Sequence, residues 1–198
     1  MMNSEQLTKV LEALLFAADK PVPITRLLQL LPETKAIQIE EAVNRLNQHY
    51  QEHAFMIIKV AGGYQTVTRS EYHEWIHRLY AARTRPRLSQ PALETLAVIA
   101  YKQPVSRVEI EAIRGVNSDG VLGTLLERNL IAIRGRADTV GRPLLYGTTE
   151  EFLRSFGLNE LSELPRPEEI QAMLKKREEE NQTAEEQIDS DSVKDNAT

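Results

Sequence analysis

The chain has 198 residues, of which 41% are hydrophobic and 27% charged, a composition typical of a globular protein with a core. It contains no cysteine, which excludes disulfides, thiolate metal sites and cysteine nucleophiles. The sequence has no signal-peptide pattern, and no apolar run approaches the ~20 residues that cross a bilayer, so we expect a cytoplasmic protein without a membrane segment.

The net charge of -5 is unevenly distributed along the chain. Residues 165–198 carry 5 basic and 10 acidic side chains, whereas residues 1–80 carry 8 and 9, and residues 81–164 carry 11 and 10. Apolar residues almost disappear beyond Glu178, which predicts an acidic, largely disordered C-terminal tail over 165–198. A duplex-binding protein usually has a clearly basic face, so we expect direct DNA binding to be weak or absent.

Three helices are predicted in the first part of the chain. Leucines at helical spacing predict a helix after Ser4, which is its expected N-cap, and Pro21 ends it. A short helix follows over residues 25–31. A third helix is expected over residues 37–52, where apolar residues again recur at helical spacing.

A hairpin and a closing helix are predicted next. The β-rich runs over residues 55–60 and 64–68 are separated by Gly62-Gly63, which predicts a turn between two antiparallel strands. Ser70 is the expected N-cap of the helix that follows.

The same order of elements returns after a linker predicted over residues 83–88. Leu11-Glu12-Ala13-Leu14 matches Leu93-Glu94-Thr95-Leu96, an offset of 82 residues, which indicates a duplicated domain. Three helices followed by a hairpin is the order of a winged-helix module. We therefore predict a mainly α fold with small β-hairpins (α+β), with two tandem winged-helix domains over residues 1–82 and 89–164.

One segment, His73-Glu74-Trp75-Ile76-His77, matches an enzyme motif. In H-E-x-x-H the two histidines share a helix face and can bind zinc, with the glutamate as general base. No histidine follows to complete the ligand set, and Trp75 and Ile76 are predicted to anchor the helix through an apolar stripe. The phosphate-binding loop and the G-x-S-x-G motif are also missing. We therefore predict no enzyme activity, catalytic residue, metal or cofactor.

The second predicted hairpin favours protein recognition. Arg134, Arg136, Arg142 and Tyr146 occur there, and arginine and tyrosine are favoured anchors at protein interfaces. Alternatively, Tyr146 fills the core and the arginines are solvated. A winged-helix DNA-binding transcription regulator is the alternative function, because such folds often place their third helix in the major groove. That alternative depends on fold analogy alone.

Several sequence blocks of the second predicted domain match a known family. They lie at residues 93–104, 110–116, 125–128, 141–143, 146–149, 152–153 and 156–158. In these blocks the chain resembles segregation and condensation protein B, the accessory subunit of the bacterial SMC condensin complex. The first domain matches more loosely, mainly at residues 11–17. Asn129 departs from the family, which typically has glycine there.

The resemblance implies a non-enzymatic role in chromosome condensation and segregation during cell division. It implies a homodimer, formed largely through the first domain, whose second domains bind the kleisin subunit, segregation and condensation protein A. The kleisin in turn bridges the SMC ATPase, which implies association with the nucleoid. We expect a kleisin helix to dock in a groove of the second domain. The expected contact residues are Arg114, Arg134, Arg136, Arg142 and Tyr146.

Overall fold

The computed structural model describes residues 2–80, 86–166, 168–170 and 172. Two stretches, residues 4–80 and 90–156, have the same order of helices and strands, and we name them the first repeat and the second repeat. Each contains three helices, a three-stranded antiparallel sheet and a closing helix, which confirms the predicted α+β class. Half of the predicted linker, residues 83–85, and most of the predicted tail lie outside the described residues.

The first repeat begins with a helix capped by Asn3. Its elements are α1 Ser4–Ala17, β1 Val22–Pro23, α2 Ile24–Leu30, α3 Ala36–His49, β2 Phe55–Val60, β3 Gly63–Thr68 and α4 His73–Tyr80. The Oδ1 atom of Asn3 accepts a hydrogen bond from the backbone N–H of Gln6 at 2.7 Å, so the prediction that Ser4 is the N-cap is wrong. Ser70 lies in a 3-10 turn ahead of α4 and does not cap that helix.

The core of the first repeat lies between α1, α2, α3 and the sheet. Its fully buried side chains include Leu11, Leu15, Leu27 and Ile39. The Tyr50 hydroxyl donates to Glu12 Oε1 at 2.5 Å and so joins the end of α3 to α1. Burial, followed by this hydrogen bond, raises the pKa of the Tyr50 phenol.

The sequence prediction missed the first strand of each sheet. Strand β1 pairs with β3, placing Val22 opposite Tyr64 and Pro23 opposite Gly63, so β3 is the central strand of its sheet. The predicted turn at Gly62-Gly63 is displaced by one residue. Ala61 and Gly62 adopt positive φ angles of 50° and 71°, whereas Gly63 belongs to β3.

A half-buried amide in the first repeat joins α3 to the edge strand β2. Asn47 Oδ1 accepts from the backbone N–H of Ile57, and Asn47 Nδ2 donates to the backbone carbonyl of the same residue, both at 2.8 Å. The pair satisfies one donor and one acceptor that the sheet leaves unpaired. It holds the hairpin against the third helix.

The second repeat has the same order of helices and strands as the first. Its elements are α5 Gln90–Lys102, β4 Val105–Ser106, α6 Arg107–Arg114, α7 Asp119–Glu127, β5 Ile131–Arg136, β6 Leu144–Thr148 and α8 Glu150–Phe156. Ser106 and Glu109 form a capping box at the start of α6, and these hydrogen bonds from Ser106 lower the pKa of the Glu109 carboxyl. Gly115 ends α6 at a φ of 72°.

Gln103 holds β6 in place between β4 and β5. Its Oε1 atom accepts from the backbone N–H of Thr148 at 2.7 Å, and its Nε2 atom donates to the Thr148 hydroxyl at 3.0 Å. This contact joins the end of α5 to the last residue of β6 and provides the buried Thr148 with partners.

The chain divides by its contacts into a unit that ends at Leu161 and a unit that begins at Ser162. Both repeats lie in the first unit. A 3-10 turn covers Leu161–Glu163. The predicted boundaries of two winged-helix domains, 1–82 and 89–164, remain predictions.

Candidate functional site

The H-E-x-x-H segment lies on α4, where His73 and His77 are both exposed, with ring centroids 6.0 Å apart. A second histidine pair, His49 and His53, lies near the end of α3 with ring centroids 5.5 Å apart. Within the described residues, no group of three or more histidine, aspartate or glutamate side chains is arranged to hold a metal ion. The segment that matches H-E-x-x-H is therefore part of an exposed helix.

The prediction that Trp75 anchors α4 is wrong. The Trp75 side chain is 65% exposed and Ile76 is only half-buried, and no residue of α4 is buried. The guanidinium of Arg78 lies 5.1 Å from the centroid of the Trp75 ring, and its Nη2 atom is 2.5 Å from Glu74 Oε1. Apolar spacing predicted the helix correctly but could not show that its apolar side chains face solvent.

Arg114, an expected partner contact, is largely buried in an ion pair. Its side chain is 8% exposed, and its Nη2 atom lies 2.9 Å from Glu94 Oε2. Its Nη1 atom lies 3.5 Å from the hydroxyl of Ser118, a fully buried residue before α7. Arg114 therefore connects α5, α6 and the start of α7, and its guanidinium is committed to contacts within the second repeat.

The Arg114–Glu94 pair predicts a specific pH dependence of stability. Hydrogen bonds from Arg114 and then Gln90 lower the pKa of the Glu94 carboxyl in the folded protein. A lowered carboxyl pKa contributes stability above the unfolded pKa, and this contribution is lost as pH falls through the folded pKa. We expect Glu94→Gln to be less stable than the unmodified protein at pH 7, with the difference shrinking as the pH falls below about 4.

Urea denaturation from pH 7 to pH 3 measures this difference. The matched control is Glu127→Gln, which removes an exposed carboxylate from α7. We expect this substitution to change the free energy of unfolding little at any pH. If Glu94→Gln lowers the free energy of unfolding by the same amount over the whole pH range, the lowered pKa of Glu94 in its pair with Arg114 is contradicted.

Tyr146 lies in the core of the second repeat. Its side chain is 8% exposed, and its backbone lies between Val105 on β4 and Ile133 on β5. The alternative in which Tyr146 fills the core is therefore the one that the structure shows. Sequence pattern does not separate a buried tyrosine on a central strand from an exposed one.

Arg134 is the extra residue of a β-bulge in β5. The register shifts between Ile133 and Gly135, so Arg134 has no partner residue on β6. Its guanidinium donates to the backbone carbonyl of Thr148, and its side chain lies directly over Gly147. The bulge thus turns this arginine across the sheet instead of extending it from the hairpin.

Arg136 and Arg142 lie at the hairpin tip and are exposed. Arg136 Nη1 donates to the backbone carbonyl of Arg142 at 3.1 Å, so the two residues lie next to each other. Between them, Val140 is fully exposed. Of the five predicted contact residues, these two form an accessible basic surface at the tip, which we name the second wing.

The exposed helix faces provide little positive charge for nucleic acid. Helix α7 carries Asp119 and Glu127 on its exposed side, and Asp119 pairs with Arg107. Helix α3 exposes Glu40 and Glu41. Acidic residues on both third helices match a phosphate backbone poorly. None of the helices in the described part of the chain is both long and apolar enough to cross a membrane.

The fold and its surfaces define an α+β protein made of two winged-helix-like repeats, with an exposed basic wing on the second. Residues 9–167 match the family model described as "Segregation and condensation complex subunit ScpB". The chain is 43% identical over 179 residues to "Segregation and condensation protein B" of Syntrophotalea carbinolica, covering 89% of this chain and 90% of the relative. The chain belongs to the ScpB family.

Two solved structures are also similar to this chain. "Crystal Structure of ScpB from Mycobacterium tuberculosis" is 32% identical, covers 80% of this chain and 99% of that chain, and has a TM-score of 0.38. "Crystal structure of dimer of ScpB N-terminal domain complexed with ScpA peptide" is 22% identical, covers 41% and 91%, and has a TM-score of 0.30.

Proposed function

We propose that this chain is a non-enzymatic subunit of the SMC–kleisin complex. As a homodimer in the cytoplasm it binds the kleisin, segregation and condensation protein A, and reaches the SMC ATPase and the nucleoid through it. The family match over residues 9–167 carries the proposal. In this role each repeat is a winged-helix domain, the first dimerising and the second binding the kleisin.

The second wing supports the kleisin-binding part of the proposal. Arg136 and Arg142 are exposed and adjacent, and fully exposed Val140 lies between them in the sequence. Two adjacent exposed arginines, with an exposed apolar residue between them in the sequence, suit a partner helix with an acidic edge and an apolar face. The side chains of Arg114 and Tyr146 are largely buried within the second repeat, and exposed Arg134 donates to the backbone carbonyl of Thr148, so we do not place these three residues at the tip.

Co-expression with the kleisin, followed by size-exclusion chromatography with light scattering, tests the assembly. We expect one peak that contains both chains, with two copies of this protein. Separate elution of the two proteins at micromolar concentration would contradict kleisin binding. A gel-shift titration with duplex DNA at low salt addresses the regulator alternative, and we expect no retardation.

The double variant Arg136→Ala, Arg142→Ala tests where the kleisin binds. We expect its affinity for the kleisin to fall about tenfold or more, because arginines are frequent energetic anchors of interfaces. Isothermal titration calorimetry measures the affinity. The matched control is the double variant Arg26→Ala, Arg45→Ala, which removes two exposed arginines of the first repeat. It should leave the affinity for the kleisin unchanged.

A further variant discriminates between the two repeats. Phe16 is 85% exposed beside a groove of about 390 Å³ between α1 and the first sheet. If Phe16→Ala weakens kleisin binding and the double arginine variant does not, the kleisin site lies on the first repeat and the second-wing placement is wrong.

A further inference from the structure

A groove of about 850 Å³ lies between the two repeats, inside the unit that ends at Leu161. Both repeats line this groove, the first contributing Lys20 and Ala61 and the second contributing Arg128 and Arg134. Its volume falls within the range of roughly 300–1,000 Å³ that ligand sites occupy. We name it the inter-repeat groove. The second wing, where the kleisin is proposed to bind, does not line it.

The lining of the inter-repeat groove carries an excess of positive charge. It contains four cationic side chains and two carboxylates, and one of these carboxylates, on Glu151, already pairs with Arg154 at 2.7 Å. In the described part of the chain, no carboxylate pairs with Lys20, Arg128 or Arg134. Lys20 and Arg134 are exposed and Arg128 is half-buried, so a ligand can reach all three. A concave surface with one sign of charge attracts a ligand of the opposite sign.

The C-terminal tail contains a segment of the opposite charge. Residues 178–195 include eight aspartate or glutamate side chains and one lysine, which gives this segment a net charge of -7. The segment lies outside the described residues. Its sequence has very few apolar side chains, so charge is the main property by which it can bind a surface. The segment and the inter-repeat groove are therefore electrostatically complementary.

The chain passes the edge of the inter-repeat groove shortly before the tail begins. The backbone N–H of Ala61, which lines the groove, donates to the backbone carbonyl of Leu158 at 2.8 Å. Glu178 follows Leu161 by 17 residues, which span at most about 60 Å when extended. The acidic segment is therefore within reach of the groove. A tether of this kind gives an effective concentration on the order of millimolar.

We propose that the inter-repeat groove is a site for an acidic peptide and that residues 178–195 of the same chain occupy it. Carboxylates of the segment pair with Lys20, Arg128 and Arg134. Single exposed ion pairs contribute little, so docking depends on several pairs together and on the tether. The contact is autoinhibitory, because an acidic segment of another molecule can enter the groove only when the tail leaves it. The proposal does not depend on the proposed function.

A spin label in the tail tests the docking in the full-length protein. The chain contains no cysteine, so Thr183→Cys provides a single attachment point for a nitroxide. At low ionic strength we expect the nitroxide to broaden the amide resonances of Ala61 and Asn129, which line the groove. Raising the salt from about 0.1 M to about 1 M shortens the Debye length from about 10 Å to about 3 Å and should remove the broadening. Broadening centred on Arg136 and Arg142 instead, or no broadening, would overturn the proposal.

An isotope mixture tests whether the tail binds within its own chain. Spin-labelled protein without the nitrogen isotope is mixed with isotope-labelled protein that carries no nitroxide, so only contact between copies can broaden a resonance. We expect no broadening at Ala61 and Asn129 in this mixture. Broadening there as strong as in protein that carries both labels would show that the tail docks on another copy, which contradicts the proposal.

Charge reversal in the groove tests which side chains hold the tail. The double variant Lys20→Glu, Arg128→Glu places like charges against the acidic segment, so the broadening of the groove resonances should disappear. Neither side chain is buried, and circular dichroism should show an unchanged fold. If this protein unfolds, Lys20→Gln with Arg128→Gln removes the same positive charges and should reduce the broadening. The control is Arg26→Glu with Arg45→Glu, two exposed arginines outside the groove, and it should leave the broadening unchanged.

Charge reversal in the tail provides a rescue experiment. Glu178→Lys, Glu179→Lys and Glu180→Lys, introduced together into the reversed groove variant, pair positive charge in the tail with negative charge in the groove. We expect the broadening to return, which a merely structural effect of the groove substitutions does not explain. Docking that survives reversal of the groove charges alone would overturn the assignment of Lys20 and Arg128.

A synthetic peptide of residues 178–195 measures the autoinhibition. One protein has the unmodified tail, and the other has the eight acidic residues of the segment replaced by their amides. The tethered tail competes with the free peptide, so we expect the unmodified protein to bind the peptide about tenfold more weakly or worse. Isothermal titration calorimetry measures both affinities, and a peptide with the same eight replacements should bind neither protein. Equal affinity of the acidic peptide for the two proteins would show that the tail does not occupy the groove.

Discussion

Leu11→Ala is expected to lower the free energy of unfolding by about 3–5 kcal/mol. Leu11 has no solvent exposure and lies in the core of the first repeat with Leu15 and Ile39. The substitution removes buried hydrocarbon and leaves a cavity, and both effects destabilise the folded state. Helix α1 packs on α3, so the surrounding helices can collapse into the cavity only partly.

Urea denaturation followed by circular dichroism measures the effect, and a second position on the same helix provides the control. Phe16 is larger than Leu11 but is 85% exposed, so Phe16→Ala should change stability by less than about 0.5 kcal/mol. Equal losses from the two substitutions would contradict the assigned orientation of α1.

Gly63→Ala is expected to destabilise the first repeat by about 3 kcal/mol. A Cβ atom at Gly63 would lie 2.4 Å from the backbone oxygen of Val22 and 2.9 Å from the backbone nitrogen of Pro23. These atoms belong to the backbone of β1, which is paired with β3 at this point, so they cannot retreat as a flexible side chain can. We expect the substitution to separate β1 from the sheet.

A glycine in open space provides the control for Gly63. Gly123 lies within α7, and a Cβ atom there would meet nothing within 4 Å. Alanine is the better helix former, so Gly123→Ala should increase the free energy of unfolding by up to about 1 kcal/mol. The midpoint of thermal unfolding should rise accordingly. If Gly63→Ala is as stable as the unmodified protein, the pairing of β1 with β3 is wrong.

The helices and hairpins were predictable because their signals are local. The first strand of the predicted hairpin is expected over residues 55–60, and β2 covers those residues. The N-cap of α1 was displaced by one residue, since Asn3 and Ser4 are both capable caps and only the local backbone decides between them. Strands β1 and β4 were missed because two-residue strands have no periodicity of their own.

The candidate site was less predictable than the fold. Arg114 and Arg136 look equivalent in the sequence, yet the Arg114 side chain is largely buried beside half-exposed Glu94, and Arg136 lies at an exposed hairpin tip. The Trp75 side chain was expected in the core and is exposed. In each case the deciding factor is whether another part of the fold covers the side chain, as it covers Arg114 but not Arg136 or Trp75.

The order of the longer elements, the internal duplication and the resemblance to the ScpB family could all be derived from the residues alone, because they depend on residue types at short spacing or within short sequence blocks. Three features required the folded arrangement: the central position of β3, the burial of Tyr146 in the core and the exposure of Trp75 and Leu79 on α4. Whether a side chain is covered depends on how elements distant in sequence pack together, and the period of one element contains no information about what lies against it.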